Sequence, residues 1–342
     1  MLQGLLSIDW LQFYVDCTYY KCTGGIRIER QVFSTRQYKY VDYIYIEDIL
    51  TATLAYEPHS SALKEHTGLL KFSNEMLYHG ARNRIVWDIE EWLGIRIISV
   101  SRIDLCYDFQ KFKFGLMPAT LIYKFIKHDF FKIGQAKYKL FGEQGATIPY
   151  SYLRFGTNTS PIAVYLYNKT LEFKQVKQKN YIVAAWEQCS FDPSLPVWRL
   201  EVSIKGNEVK YIRTDSGEMV GLTWDNLSKH DIRNDIFFSV VNKYFEFRVN
   251  DGQIRKDRMK RVELFDNAFN NLLITRIADK ADTGRADKIF IKKLELLNTE
   301  LRGDDATFWE EVDNVKDAFI RAAQLEQWYE RNKQFWKAKA TV

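Results

Sequence analysis

The segment AVYLYNKTLEF, residues 163–173, contains the residues whose types and spacing could do chemistry. Tyr165 and Tyr167 lie two apart in a pattern typical of a strand, so both side chains should share one face, with Lys169 next on that face. A phenol has a pKa of about 10 and attacks poorly at neutral pH unless a base, a neighbouring cation or a metal ion assists it. The spacing therefore raises the hypothesis of a tyrosine nucleophile.

Two further strand-like segments carry acidic residues at alternate positions. In SRIDLCYDF the period of two places Arg102, Asp104 and Asp108 on one face. In VWRLEVSIKG the same period places Arg199 and Glu201 together. Carboxylates suit Mg²⁺ or Mn²⁺, and such an ion polarises phosphate oxygens. Acids on two strands and a tyrosine–lysine pair on a third predict phosphoryl transfer to tyrosine. The alternative is that each polar face is the solvent face of a half-buried strand.

Positive charge is concentrated in a few stretches of this 342-residue chain, whose formal net charge is +5. Residues 110–139 hold seven lysines and one acidic residue, and residues 248–261 hold six basic and two acidic residues. Such runs indicate a polyanionic partner, whose phosphates the cations neutralise while counterions are released. Within the second run and after the tyrosine segment, the predicted DNA-contacting residues are Lys174, Lys177, Arg255, Lys256, Arg258, Lys260 and Arg261.

Composition places the chain among globular proteins, with 46% hydrophobic and 27% charged residues. Its four cysteines form no CxxC pair and have no matching His/Cys pair for zinc, which indicates reduced thiols. No stretch approaches the roughly 20 apolar residues of a membrane span, and the N-terminus lacks a basic region and a cleavage site. We therefore expect a cytoplasmic protein without a membrane partner.

Strand-like alternation dominates the first 210 residues and predicts six strands, at 7–17, 37–47, 95–109, 150–156, 163–169 and 197–206. Residues 84–95 and 117–131 have helical patterns between these strands. Together they predict an α+β fold with a largely antiparallel central sheet. From residue 263 the apolar period becomes 3.6, which predicts a C-terminal helical bundle. The predicted organisation is a domain over 1–262 and a helical region over 263–342, whose apolar face is available for a homodimer.

Four segments, in this order, resemble the replication-initiation-factor (Rep_trans) family: SIDWLQFYV, SRIDLCYDF, YLRFGTNTSPIAVYLYNKTLE and WRLEVSIKG. The resemblance covers about residues 5–265. The family comprises rolling-circle plasmid and phage initiators and related relaxases of mobile elements. It implies an antiparallel sheet of the Rep nuclease, or HUH-like, type. It also implies a metal-dependent, site-specific DNA endonuclease and strand transferase that nicks one strand at an origin and stays joined to the 5′ phosphate through tyrosine.

The resemblance assigns the nucleophile to Tyr167, which Asn168 and Lys169 follow, with Tyr165 as the second candidate. One departure is Ala163, which with the next residue stands where many relatives carry a basic residue. The expected partners are origin DNA, with a single-stranded or hairpin nick site and flanking duplex, and a host helicase.

The same resemblance assigns the ligands of Mg²⁺ or Mn²⁺ to Asp104 and Glu201, with Asp108 in second place. Arg199 and Lys169 are expected to hold phosphate, and Arg102 completes the predicted DNA-binding set. His79 lies in a polar turn and is a further candidate ligand, although a lone loop histidine is usually solvated. The paired histidines of better-known nicking enzymes are absent from the sequence.

Three alternatives stay open at this point. The segment KHDIRND, with His230 and Arg233, resembles part of a tyrosine-recombinase motif, but Asn234 stands where that family has a histidine. The chain could instead bind an origin or hairpin without cutting it. Within the favoured class, a replication initiator and a conjugative relaxase share the same chemistry.

Overall fold

The computed structural model describes residues 4–21, 26–46, 48–61, 63–134, 137–142, 150–157, 159–175, 179–206, 209–213, 219–265 and 273–275. Spatial proximity divides the chain into two units, Met1–Arg276 and Ile277–Val342. The predicted helical region, 263–342, falls almost wholly outside the described residues, and so does Lys177. The domain boundary at residue 262 and the C-terminal bundle therefore stay predictions.

The strands of the described residues follow the chain in this order: β1 (Gly4–Asp16), β2 (Arg27–Arg30), β3 (Tyr38–Ile46), β4 (Ile49–Pro58), β5 (Thr67–Phe72), β6 (Arg96–Phe109), β7 (Phe130–Lys132), β8 (Tyr138–Gly142), β9 (Tyr150–Phe155), β10 (Ile162–Asn168), β11 (Trp198–Lys205), β12 (Tyr211–Arg213), β13 (Met219–Gly221), β14 (Phe247–Val249) and β15 (Leu273–Thr275). Ten of them form one antiparallel sheet in the order β2-β3-β4-β5-β1-β6-β11-β10-β9-β8. Two small sheets, β13-β12-β15 and β14-β7, accompany it.

Helices connect or follow these strands: α1 (Asn74–Tyr78), α2 (Arg82–Leu93), α3 (Pro118–Ile126), α4 (Lys169–Gln175), α5 (Asn180–Glu187), α6 (Trp224–Ser228) and α7 (His230–Tyr244), with short 3₁₀ turns at Lys113–Gly115 and Lys256–Arg258. Local sequence explains several boundaries. Pro118 occupies the first turn of α3, where its missing N–H costs nothing. Gly94 ends α2 with a φ of 57°, a left-handed conformation that glycine adopts without strain.

An aromatic core covers one face of the large sheet. On β6 the apolar residues alternate toward that face, where the ring of Tyr107 contacts Phe237 and Phe238 of α7. On β9 the ring of Phe155 lies against Phe125 of α3 and against Phe247. Because strand side chains alternate, the polar residues of β6, β11 and β10 point to the opposite face.

The α+β fold with a largely antiparallel sheet is confirmed, and each of the six predicted strands corresponds to an observed one. The helix predicted over 117–131 is wrong beyond Ile126, because Phe130–Lys132 pairs with β14 instead. The placement of Lys169 on the strand is also wrong. Asn168 ends β10 and its Oδ1 accepts the N–H of Leu171 at 2.9 Å, so α4 begins at Lys169. None of the described helices is long and apolar enough to cross a membrane.

Candidate active site

Polar residues of five neighbouring strands meet on the face of the sheet opposite the aromatic core. Strand register sets Tyr165 of β10 opposite Glu201 of β11, and Ser203 of β11 opposite Asp104 of β6. On the outer side, Arg154 of β9 is opposite Tyr165. The predicted polar faces of β6, β11 and β10 are thus joined side by side in one surface.

The phenol of Tyr167 and the carboxylate of Glu201 form the closest contact between predicted catalytic groups. Tyr167 Oη donates a hydrogen bond of 2.9 Å to Oε2 of Glu201. Burial, and next the charge of Glu201, raise the pKa of Tyr167 well above its usual value of 10. The phenol is therefore protonated at neutral pH, and Glu201, in its ionised form, is the group placed to take its proton.

Glu201 is itself an unusual acid. Its pKa is raised to about 8, first by burial and then by the negative charges of Asp9 and Asp104, against the lowering effect of Arg199 and of the Tyr167 hydrogen bond. A carboxyl that titrates near neutral pH can both accept and return a proton under physiological conditions. The arrangement therefore suits a general base.

Arg199 occupies the centre of a buried ion-pair network. It is 0% exposed, and its Nε and Nη2 donate to the two oxygens of Asp108 at 2.6 and 2.8 Å. Its Nη1 donates to Oδ1 of Asp9 at 2.6 Å, and Nη2 also donates to the hydroxyl of Tyr78 at 2.9 Å. Trp186 of α5 donates its indole N–H to Oδ2 of Asp108 at 2.7 Å. These contacts fix β1, β6 and β11 against α1 and α5.

This network corrects two of the predicted roles. Arg199 has no exposed surface to offer a DNA phosphate, and its guanidinium is committed to Asp9, Asp108 and Tyr78. Asp108 is equally buried, and both of its oxygens already accept hydrogen bonds. Burying two charges stabilises a fold only when each is paired, which makes both residues structural anchors of the site.

Arg102, a predicted DNA contact, forms a bidentate ion pair with Asp104, with Nε and Nη2 at 2.9 and 2.5 Å from its two oxygens. The guanidinium also lies 4.4 Å from the ring centre of Trp10, and Lys71 lies 3.5 Å from the same ring. Burial raises the pKa of Asp104, and the pairing with Arg102 opposes that rise. Asp104 is therefore paired with Arg102, and its negative charge also acts on Glu201.

Lys169, at the start of α4, is 2% exposed and forms an ion pair of 2.7 Å with Glu172. Its Nζ lies 5.4 Å from the ring centre of Tyr167. The structure thus brings Lys169 beside the predicted nucleophile, although from a helix and not from the strand. Tyr165 has the guanidinium of Arg154 5.0 Å from its ring centre, and no described hydrogen bond links its hydroxyl to Glu201.

A metal centre of the predicted composition is not formed in the described part of the chain. None of the described residues forms a group of three or more His, Cys, Asp and Glu side chains arranged to hold a metal ion. Asp108 is held by Arg199, and Asp104 is held by Arg102. The predicted set of Asp104, Asp108 and Glu201 therefore does not fit a metal ion as it stands. Nδ1 of His79 accepts the N–H of Ala81 at 3.2 Å, and a ligand role for this residue stays a prediction.

The predicted basic surface after β14 lies away from this site. Arg255, Lys256, Arg258, Lys260 and Arg261 are all exposed. They follow Phe247, which packs against Phe155 on the aromatic face of the sheet, the face opposite the carboxylates. Lys174 is exposed on α4, close in sequence to Tyr167. The role of the first group in binding DNA stays a prediction.

The two residues that resemble part of a recombinase motif do not form a catalytic pair in the structure. Arg233 is buried, and its Nη1 donates to the carbonyl oxygens of Leu227 and Ser228 at 2.6 and 2.7 Å. His230 is exposed at the start of α7. The pair thus serves the α6–α7 turn.

Sequence reasoning missed Asp9, Tyr78 and Lys179. Burial raises the pKa of Asp9, but the charges of Arg199, Lys169 and Lys179 more than offset that rise, so its pKa is lowered. Lys179 donates to Oδ1 of Asn74 at 3.2 Å. Asp9 lies in the strand-like SIDW segment, where the two-residue spacing from Ser7 could have predicted a polar side chain on the same face. Nothing in the local sequence of Tyr78 or Lys179 marks them.

An apolar cavity of about 440 Å³ adjoins the site. Tyr78 and Tyr181 line it from the side of the ion-pair network, and Ile49, Ile85 and Trp92 line it elsewhere. The hydroxyl of Tyr181 donates to Oδ1 of Asn74 at 2.7 Å. The polar face and an apolar pocket of the size of a small molecule therefore share a wall.

No family model matches the chain, and no curated protein matches it. One solved structure with a similar chain path is that of a rolling circle replication initiator protein from Geobacillus stearothermophilus, with 14% sequence identity and a TM-score of 0.45. The likeness covers 76% of this chain and 92% of the other. A likeness of that degree does not establish a family.

Proposed function

We propose that the protein is a site-specific DNA nickase and strand transferase that uses a tyrosine nucleophile to initiate rolling-circle replication. The observation that carries the proposal is the hydrogen bond between Tyr167 and Glu201. It couples a phenol to a carboxyl group with a pKa of about 8, on a face lined by cations and acids. The four sequence segments that resemble the Rep_trans family supply the substrate class.

In the proposed reaction, Oη of Tyr167 attacks a DNA phosphorus while its proton passes to Glu201. The bond between Tyr167 Oη and phosphorus forms, and the bond from phosphorus to the 3′ oxygen breaks. The leaving 3′ oxygen takes a proton and becomes a free hydroxyl end. Because one phosphodiester replaces another, the reverse step reseals DNA without ATP.

Cations around the site favour binding of the reacting phosphate. Lys71 and Lys179 each have a pKa lowered first by burial and then by like charge, from Arg102 in the case of Lys71 and from Lys169 and Arg199 in that of Lys179. Positive groups that lie close together repel one another, and an anion that binds among them offsets this repulsion. A phosphodiester supplies that anion.

The apolar cavity beside Tyr78 and Tyr181 favours a strand with unpaired bases. Its volume of about 440 Å³ is ample for one nucleobase. Aromatic side chains such as Trp92 gain about 1–3 kcal/mol from stacking on a base, whatever the sequence. A duplex keeps its bases inside the helix, so a base reaches this cavity only from a single strand or an opened hairpin.

Dependence on Mg²⁺ or Mn²⁺ is part of the proposal and comes from the resemblance. Asp9, Asp104 and Glu201 do not form a ligand group in the structure described, so an ion there would require them to rearrange; their mutual repulsion appears in the raised pKa of Glu201. Asp104 would have to leave Arg102 for this purpose. The ion would supply charge neutralisation at the phosphate oxygens.

The remaining proposed partners are an origin with a hairpin or single-stranded nick site and a host helicase, which follow from the resemblance, and a second copy of the chain, which follows from the apolar helical pattern of residues 263–342. A relaxase of a mobile element is the second candidate, and it shares every residue of the proposed site. The contact between Tyr167 and Glu201 favours an enzyme over a binding module, because a DNA-binding surface has no need of a paired phenol and carboxyl.

The proposal is tested with supercoiled plasmid that carries the DNA flanking the gene for this chain. In Mn²⁺ or Mg²⁺ we expect conversion to nicked circles with protein on the 5′ end. EDTA should abolish the conversion. Persistence in EDTA with protein on the 3′ end would favour a recombinase, and binding of the same DNA without any nick would favour a binding module.

A further inference from the structure

Arg154 on β9 is a buried cation without a carboxylate partner. It is 8% exposed, and among the described residues its Nε and Nη2 have no hydrogen-bond partner, although a side-chain hydrogen bond joins the guanidinium to Tyr152. By contrast, the two other arginines that face this surface are neutralised, Arg102 by Asp104 and Arg199 by Asp9 and Asp108. An unsatisfied buried donor costs about 1–3 kcal/mol, and more when it is charged. A buried group of this kind calls for an explanation, and a bound ion or a catalytic role is among the known ones.

The guanidinium lies within the proposed active site. Arg154 is paired in register with Tyr165 and lies diagonally from Tyr167, one strand away. Its centre is 5.0 Å from the ring centre of Tyr165. The positive charge also reaches Tyr152, where it opposes the rise in pKa that burial causes. Its Nε and Nη2 are therefore unpaired and covered beside Tyr165 and Tyr167, so a phosphate of the reacting strand reaches them when the covering side chains move.

Aromatic rings extend from Arg154 to the open edge of the sheet. The ring of Tyr152 lies 6.4 Å from that of Tyr167 and 5.1 Å from that of Phe141 on β8. Phe141 is 60% exposed, and Lys139, which pairs in register with Arg154, is exposed as well. Alternating rings and cations along one line are the features that single-stranded nucleic acids bind.

We propose that Arg154 binds a backbone phosphate of single-stranded DNA next to the scissile phosphate, and that Phe141 and Tyr152 stack on the neighbouring base. This inference rests on the proposed function. It adds the path of the bound strand, which runs from Tyr167 across β9 and then β8. The guanidinium offers two parallel N–H groups, which match two phosphate oxygens. The bound phosphate supplies the partner that Arg154 lacks within the described residues.

The proposal is tested by fluorescence anisotropy of a labelled single-stranded oligonucleotide of mixed sequence, in EDTA so that nothing is cut. The variant is Arg154→Gln, and the matched control is Arg27→Gln, which removes the same charge from β2 at the opposite edge of the sheet. A charged hydrogen bond is worth about 1.5–3 kcal/mol, so we expect Arg154→Gln to lose about tenfold to a hundredfold in affinity. The slope of log affinity against log salt should fall by about 0.7. Arg27→Gln should change neither quantity.

Two further measurements separate phosphate binding from a purely structural role. Arg154→Gln removes an unpaired buried charge, so its thermal midpoint should equal or exceed that of the wild type. Arg154→Lys keeps the charge but loses the two-pronged donor, so it should retain the salt slope and only part of the affinity. If Arg154→Gln keeps the affinity and the salt slope of the wild type, the inference is overturned. A lowered thermal midpoint in the same variant would then indicate a purely structural role. Failure of the plasmid to be nicked while this binding pattern holds would instead overturn the proposed function.

Discussion

The hydroxyl of Tyr167 on β10 donates a 2.9 Å hydrogen bond to the carboxylate of Glu201 on β11. The two residues are not direct register partners, since Tyr167 pairs with Arg199 and Glu201 pairs with Tyr165. Diagonal neighbours across antiparallel strands lie within reach of long side chains. The hydrogen bond to Glu201 thus distinguishes Tyr167 from Tyr165, which shares the same face of the sheet.

Replacement of Tyr167 by Phe should abolish nicking and leave the fold intact. The change removes the attacking oxygen and the hydrogen bond to Glu201, while the ring and its packing remain. The matched control is Tyr165→Phe, whose hydroxyl has no described bond to Glu201, and which should retain activity within about tenfold. The initial rate of plasmid nicking measures both variants. Activity retained in Tyr167→Phe and lost in Tyr165→Phe would reverse the assignment.

The raised pKa of Glu201 should make stability fall as pH rises. In the unfolded chain a Glu titrates near 4.5, and in the fold Glu201 titrates at about 8. Between these values the unfolded chain has lost a proton that the folded chain keeps, so each step up in pH favours unfolding. Glu201→Gln cannot ionise, so its stability relative to the wild type should grow from pH 5 to pH 8 and level off above. Urea unfolding in EDTA checks this, and parallel curves for the two proteins would contradict it.

Loss of Asp108 should unfold the site. Asp108→Ala leaves the fully buried Arg199 without the acid that pairs with its Nε, and breaking a buried pair costs about 3–5 kcal/mol. An exposed pair provides the control: Arg84→Gln breaks the contact with Asp88 on α2 and should cost under about 1 kcal/mol. Free energies from urea unfolding compare the two. If both variants lose equally little free energy of unfolding, the ion-pair network around Arg199 does not stabilise the fold to the extent expected.

The exposed basic residues should contribute affinity without sequence preference. Replacing Arg255, Lys256, Arg258, Lys260 and Arg261 by Gln should weaken binding to every duplex alike. Each lost phosphate contact should reduce the salt slope by about 0.9 on double-stranded DNA. Competition between origin and unrelated duplex measures this. A loss confined to the origin would indicate base contacts instead of phosphate contacts.

Alternation of polar and apolar residues predicted the strands that carry the site, since β6, β10 and β11 are long and strongly patterned. The same period predicted that Asp104, Glu201 and Tyr167 face one side, and adjacency of the strands then brought them together. What the pattern could not show is how charges pair between strands. Arg199 resembles an exposed phosphate ligand in sequence, yet Asp9, from a strand 190 residues away, holds it in the interior.

Lys169 and Arg154 show two other limits of sequence reasoning. Lys169 continues the alternation of β10, but the side chain of Asn168 caps a helix and turns the chain at that point. Arg154 lies in an ordinary strand, and only the folded surroundings show that it lacks a carboxylate partner among the described residues. Long-range pairing and its absence are both set by tertiary structure, which single-sequence patterns do not contain.

The most direct test of a tyrosine nucleophile at residue 167 is to identify the amino acid that becomes joined to DNA. The protein is incubated with DNA from the region flanking its gene and with Mg²⁺ or Mn²⁺, digested with protease and nuclease, and analysed by mass spectrometry. A nucleotide phosphate on Tyr167, carried by the 5′ end of the cut strand, is the predicted result. A nucleotide on Tyr165 or Tyr181, or a cut that leaves no covalent adduct, would contradict it.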